Sequence, residues 1–333
     1  MIKKNFIKAI PYISTLLLVG IMVGIAEIVN EKEIIFPEIT ALAVGYMVAK
    51  KRSWKVNGRR MIFLITLCAV VGVLIVRYSG LNLYLQMIIA FSFAQILFMF
   101  SGTTFAPFVS AIVLPIMMQT KSFIYPISAF VLTLLVILFH DLFLKAGIRE
   151  DEDYIPVMLN SKDDIIDTAI RILCVGVIGF VAIYFNLKFI IAPPLLVAFT
   201  EFSRPRNKVR NLPVKVVAVI TSCALVGSLS RYLLSMKLDM PLTVSALVAT
   251  LVMLMILTYA KMYMPPVGAI TILSMIIPES SVVTYPLQIF IGSVVVITLS
   301  RILFMKRQNK KYEYELTANW FWFVVNKEKP KLL

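Results

Sequence analysis

The sequence predicts an all-α polytopic membrane protein built from two tandem parallel repeats, each with about six apolar segments, two of them short. Three observations carry that prediction. The chain is 60% hydrophobic and only 15% charged, with a mean hydropathy of +0.89; a soluble domain is about half apolar and about a quarter charged. The stretch from Ile34 to Phe143 returns, loosely but in order, from Ile190 to Leu303. The basic residues collect in short loops between apolar runs.

The repetition is carried by particular residues. Pro37 answers Pro193, and Cys68-Ala69 with Gly72 answers Cys223-Ala224 with Gly227. Pro107-Phe108-Val109-Ser110-Ala111-Ile112 answers Pro265-Pro266-Val267-Gly268-Ala269-Ile270, and Tyr125-Pro126 answers Tyr285-Pro286. Internal duplication with paired prolines is how many membrane transporters are built.

The first apolar segment follows Lys3, Lys4 and Lys8. It continues for about 20 residues, enough to span, without a small-residue cleavage site, so it reads as an uncleaved first span. The other segments of the first half fall at 34–49, 61–79, 81–100, 104–118 and 123–144. Those of the second half fall at 168–185, 189–200, 216–235, 241–259, 265–277 and 285–304. The second and fifth of each half fall short of a spanning length and begin at or contain proline. The expected units are repeat 1 over 1–144, an acidic linker over 145–167, repeat 2 over 168–305, and a basic tail over 306–333. In the tail, Trp320 and Trp322 among lysines suggest an interfacial anchor.

Charge sets the expected orientation. Lys50 to Arg60 holds six basic residues and no acid, and Arg204 to Lys215 holds five and no acid. Lys306 to Lys311 adds four, while the loops of the other side hold only Lys32, Lys121, Lys188 and Lys237. The positive-inside rule puts the basic loops and both termini in the cytoplasm of a cell-membrane protein. Two matching basic loops on one side need an even number of crossings per half, hence parallel repeats. Six and four crossings per half have the same parity and stay open. The net charge of +15 therefore reports topology and contact with anionic lipid, not nucleic acid.

Chemistry is expected at the short segments. A helix begun by proline inside a membrane points its N-terminus into a cavity, and that end suits an anion. Thr103, Thr104, Pro107 and Ser110 in one half, and Met264, Pro265, Pro266, Gly268 and Thr271 in the other, form the candidate site. Tight packing by small residues is the competing reading. Glu38 joins them because an intramembrane carboxylate is functional by default. Arg77-Tyr78 and Arg231-Tyr232 could collect anions at an outer mouth or snorkel to headgroups. His140-Asp141 suits a proton relay or an interfacial pair. Gln86, Gln95 and Gln288 line a path or join helices. The acids from Glu150 to Asp153, with Asp163, Asp164 and Asp167, read as solvated linker. Cys68, Cys174 and Cys223 read as buried hydrophobes. No nucleophile motif, phosphate loop or metal spacing occurs, so neither enzyme activity nor a cofactor or metal is expected.

The run Tyr259-Ala260-Lys261-Met262-Tyr263-Met264-Pro265-Pro266-Val267-Gly268-Ala269 resembles the HPP family of integral membrane proteins, named for a His-Pro-Pro motif followed by small residues. Arg204-Pro205-Arg206-Asn207 is similar to the Pro-Arg-Asn loop of that family. The resemblance covers the second half, with the first half as a diverged copy. It implies transport of small anions such as nitrite. The motif histidine is Met264 here, and the first copy reads Phe105-Ala106-Pro107-Phe108, which loosens any transfer of substrate.

The expected function is a transporter or channel-like facilitator of a small solute, a small anion first of all. Its expected partners are the lipid bilayer and that solute, with a homo-oligomer left open and no nucleic acid. The alternatives are a non-transporting membrane scaffold that docks a partner through its charged loops, and an exporter of a hydrophobic or aromatic acid.

Overall fold

The computed structural model describes residues 2–157, 161–204 and 207–304. The basic tail with its tryptophans, and Pro205 and Arg206 of the Pro-Arg-Asn loop, lie outside the described residues. Among those described, the chain is helical throughout and forms no strand.

Eight helices among the described residues are long and apolar enough to cross a membrane. Four lie in the first half: α1 (Ile2–Val29), α3 (Gly58–Tyr78), α4 (Leu83–Phe100) and α6 (Ile124–Lys145). Four lie in the second: α7 (Lys162–Tyr184), α9 (Pro213–Ser230), α10 (Leu242–Ala260) and α13 (Tyr285–Phe304). Between them come four short ones: α2 (Glu38–Ala43, prolonged by the wide turn Val44–Val48), α5 (Phe108–Met118), α8 (Pro193–Phe202) and α11 (Pro265–Leu273). A one-turn helix, α12 (Glu279–Val282), precedes α13.

Burial separates the two classes. The long helices bury between 33% and 44% of their apolar windows and turn residues such as Leu173 and Ile302 outward. Every residue of α2 and α11 is buried. Outward apolar side chains suit lipid and not water, so this is a multi-pass membrane architecture with the short helices as its core.

The ends of the bundle can be told apart by contacts. The start of α3 meets the end of α4, where Arg60 Nη1 donates to the Ser101 carbonyl at 2.9 Å. The end of α2 meets the stretch after α6, through Arg149 on the carbonyls of Ala49 and Tyr46. At the opposite end, Phe36 stacks edge-on against Tyr125 at the start of α6, and the end of α5 meets the start of α4 through Gln119 and Gln86. In the second half, Lys188 before α8 reaches Met117 at the end of α5, while Glu201 near the end of α8 reaches Trp54 of the basic loop. Arg231 at the end of α9 reaches Ser274 and Ile277 after α11. Each short helix, with an extended stretch beside it, thus carries the chain from one end to the other. Among the described residues, none of the short segments folds back as a hairpin.

Small residues set the close packing. A Cβ at Gly72 would lie 2.5 Å from the Ile112 carbonyl oxygen of α5, and Gly227 meets the Thr271 carbonyl of α11. In a bilayer such contacts, rather than a hydrophobic drive, hold helices together. Other contacts also come in pairs. Tyr125 donates to the Ala111 carbonyl at 3.0 Å, and Tyr285 to the Ile270 carbonyl at 2.8 Å. The short helices cross between halves: α2 packs on α11, and α8 on α5.

Several side chains answer or depart from the sequence expectation. Asp163 and Asp164 lie in the first turn of α7, which starts at Lys162 and so ahead of Thr168. The cause is a capping box, with Ser161 and Asp164 bonding each other's backbone N–H. Asp167 also lies on this helix and is buried. The linker before it is strapped to the bundle: Val157 N–H donates to the Gly102 carbonyl at 2.8 Å, and Glu152 accepts from the Arg52 N–H at 2.8 Å. Arg231 does not stand at an open mouth, because its guanidinium caps carbonyls that follow α11. The glutamines join helices: Gln86 to Gln119, Gln95 to Thr200 and Arg171, and Gln288 to the Phe189 N–H. His140 stacks on Tyr46 with ring centres 4.2 Å apart, and its Nδ1 lies 3.8 Å from Asp141.

Candidate functional site

Of the residues singled out, Glu38 and Ser110 are brought into direct contact. Pro37 places Glu38 at the first residue of α2, where the chain leaves the extended backbone of the preceding loop. Pro107 caps α5, so Ser110 falls in that helix's first turn. The Ser110 hydroxyl donates to Glu38 Oε1. Glu38 is 1% exposed and Ser110 is fully buried. The other carboxylate oxygen, Oε2, has no hydrogen-bond partner, nor has the hydroxyl of Thr40 two residues on. Buried polar groups are normally satisfied, and here two unpartnered oxygens stand on one helical turn.

The helix starts offer fewer donors than expected. In α5 the N–H groups of Val109, Ser110 and Ala111 turn back to the carbonyls of Ala106 and Pro107. In α11, Pro265 and Pro266 have no N–H, and Val267 donates to the Met264 carbonyl at 3.1 Å. What α5 presents is the positive end of its dipole and the Ser110 hydroxyl, which already hold a carboxylate.

The remaining candidates are placed differently. Gly268 lies against the backbone of α2: a Cβ there would come 2.9 Å from the Thr40 carbonyl carbon and 3.0 Å from the Ala41 nitrogen. Pro265 sits beside Gly45 in the wide turn of α2. Met264 is buried just ahead of α11. Thr271 bonds back to the Val267 carbonyl of its own helix. Thr103 binds Ser101 and accepts from the Phe105 N–H. Thr104 pairs with Lys55, accepting its N–H at 2.8 Å and donating to its carbonyl at 3.2 Å. The two threonines are thus bonded at the basic end of the bundle, and Gly268 lies in close contact with α2.

Sequence reasoning missed Trp54 and Glu201. Trp54 comes from the basic loop yet is 4% exposed. Its ring meets Phe105 edge-on at 5.2 Å and lies over Gly45, where a Cβ would come within 2.5 Å of it. Its indole N–H donates to Glu201 Oε1 at 2.7 Å. One side chain thus touches α2, the lead-in to α5, and α8, closing the centre from the basic end. The available signal was a lone tryptophan within a basic loop, and the loop's charge masked it.

The linker backs this closure. Tyr154 donates to the Gly102 carbonyl at 2.8 Å and receives Arg60 Nη1 at 2.5 Å. Burial pushes the Tyr154 phenol up to about 12, against the opposing pull of Arg60, so at neutral pH it bridges the two as a neutral group. No family model, curated protein or solved structure matches the chain, and the likeness to the HPP family rests on the residues around Met264-Pro265-Pro266 and on Arg204-Pro205-Arg206-Asn207.

Proposed function

We propose that the protein is a transporter or channel-like facilitator of a small solute, a small anion first of all, acting at the short helices where Glu38 meets Ser110. The observation that carries this reading is the orphaned, fully buried polar cluster of Glu38 and Thr40. It lies among short helices wrapped by lipid-facing long ones. Interrupted helices at the centre of a bundle are where transporters bind their cargo. The same reading takes the two halves as parallel repeats, in support of which stand the paired tyrosine contacts and the reciprocal packing of α2 on α11 and α8 on α5. It puts the basic loops and the N-terminus in the cytoplasm, so Trp54 and the linker stand at the cytoplasmic end.

The scaffold alternative draws less support, because Glu152 is engaged with Arg52 of the same chain rather than held out for a partner. The test is flux into liposomes holding the purified protein, with nitrite, nitrate, formate, bicarbonate and small carboxylates offered with and without a pH gradient. Saturable uptake of one of them is the expected result. No uptake of any, by protein that remains monodisperse, rejects the reading.

A further inference from the structure

We propose that the Glu38 carboxylate is a tethered occupant of the anion site, that protonation releases it, and that the anion replacing it is a small monocarboxylate. The inference rests on the transport reading above and adds a ligand class and a proton to it.

The geometry states what the site accepts. The hydroxyl of Ser110, in the first turn of an eleven-residue helix, holds a carboxylate oxygen supplied by another helix. The dipole at that end favours negative charge. The bound group is a planar, two-oxygen monoanion, attached to the protein only by its own side chain. A free carboxylate of similar size meets the same hydroxyl and the same dipole. Oε2 of Glu38 and Oγ of Thr40 are buried without partners, so the tethered group leaves bonds unmade.

The surroundings leave the charge of Glu38 uncompensated. Ser110 is its hydrogen-bond partner, and among the described residues no ion pair involves it. The titratable group facing it is Tyr125 of α6, with Cys68 of α3 behind that phenol. Neither α5 nor α11 carries a titratable side chain. The buried residues of α1 from Leu18 to Ala26 are all apolar: Leu18, Val19, Met22, Val23 and Ala26. At the far end of the α2 segment, Tyr46 carries the ring of His140. A carboxylate with no cation beside it is costly to keep charged away from water. A proton on Glu38 removes the repulsion between its carboxylate and an incoming anion, and one oxyanion takes the place of another at Ser110. One proton then accompanies one anion, with no covalent step.

The test uses the full chain in liposomes and formate as the probe, with uptake into protein-free liposomes subtracted. Wild-type uptake is expected to rise as pH falls, by up to about tenfold per pH unit while one carboxyl titrates. Glu38→Gln is expected to take up formate at neutral pH as fast as wild type does in acid, with no pH dependence. Ser110→Ala removes the hydroxyl that both carboxylates use and is expected to lower formate uptake in acid as well as at neutral pH; acid uptake as fast as wild type overturns the site. Wild-type uptake whose pH dependence survives in Glu38→Gln overturns this inference and leaves the transport reading standing. Uptake of nitrate or chloride but not formate by Glu38→Gln overturns the ligand class. No uptake by wild type or either variant, all monodisperse, overturns both readings.

Discussion

Helix α2 opens with Phe36-Pro37-Glu38, and α8 opens with Ala192-Pro193-Pro194. On the spacing of the two halves, Glu38 stands where α8 has Pro194, and Ser110 stands where α11 has Gly268. The first half thus joins two short helices by a carboxylate and a hydroxyl. The second half has a proline and a glycine at those places. Gly268 presses on the α2 backbone and Pro194 carries no N–H. The lesson is a division of labour: one half supplies the polar chemistry and the other the close contact that holds it.

Five substitutions test that division. The largest effect is expected at the packing side. Gly268→Leu drives a side chain into the Thr40–Ala41 backbone and should cost about 3 kcal/mol or more, since backbone cannot yield as a side chain can. Loss of the monodisperse species on size exclusion in detergent would register it, and a protein as heat-stable as wild type would refute the close contact. Ser110→Gly makes the first half resemble the second and leaves Glu38 without its donor. About 1–3 kcal/mol should be lost, the cost of an unsatisfied buried group, read as a lower thermal midpoint. Where the halves are alike, the effects should be alike. Tyr125→Phe and Tyr285→Phe each remove one phenol bond to a carbonyl, at about 1 kcal/mol apiece, and unequal losses would sharpen the contrast. The smallest change belongs to Glu152→Ala. This partly exposed pair with Arg52 should be worth less than about 1 kcal/mol, with formate uptake unchanged.

What could be read in advance follows the physics of each signal. Hydropathy and basic loops act over many residues, so the lipid-facing helices and the shared side of Lys50–Arg60 and Arg204–Lys215 were legible. Tyr125-Pro126 and Tyr285-Pro286 announced contacts that both halves make. The route of the short segments was not legible, because apolar length cannot tell a hairpin from a helix completed by extended backbone. That took Arg149 on Ala49 at one end and Phe36 on Tyr125 at the other. Thr103 and Thr104 looked like ligand donors because their hydroxyls precede a proline-capped helix. Their partners, Ser101 and Lys55, lie in backbone geometry that no spacing encodes. Trp54 was hidden for the converse reason, a buried ring inside a segment whose charge reads as solvent.

The packing of α2 on α11 also bears on how the protein is made. Glu38 leaves the ribosome early, but the surface that covers its helix is built from Pro265–Leu273. At synthesis rates of about 5–20 residues per second, that partner arrives on the order of 10–50 s later. During that interval a helix carrying a buried acid must wait in or beside the bilayer without that neighbour. Glu201, which anchors Trp54, arrives late as well. A chain stopped after α6 would keep its four long helices and Trp54, and lack both the floor of its own centre and the carboxylate that anchors that ring. The first half should therefore be a substrate for quality control when expressed alone, and become durable only when the second half is supplied in the same membrane.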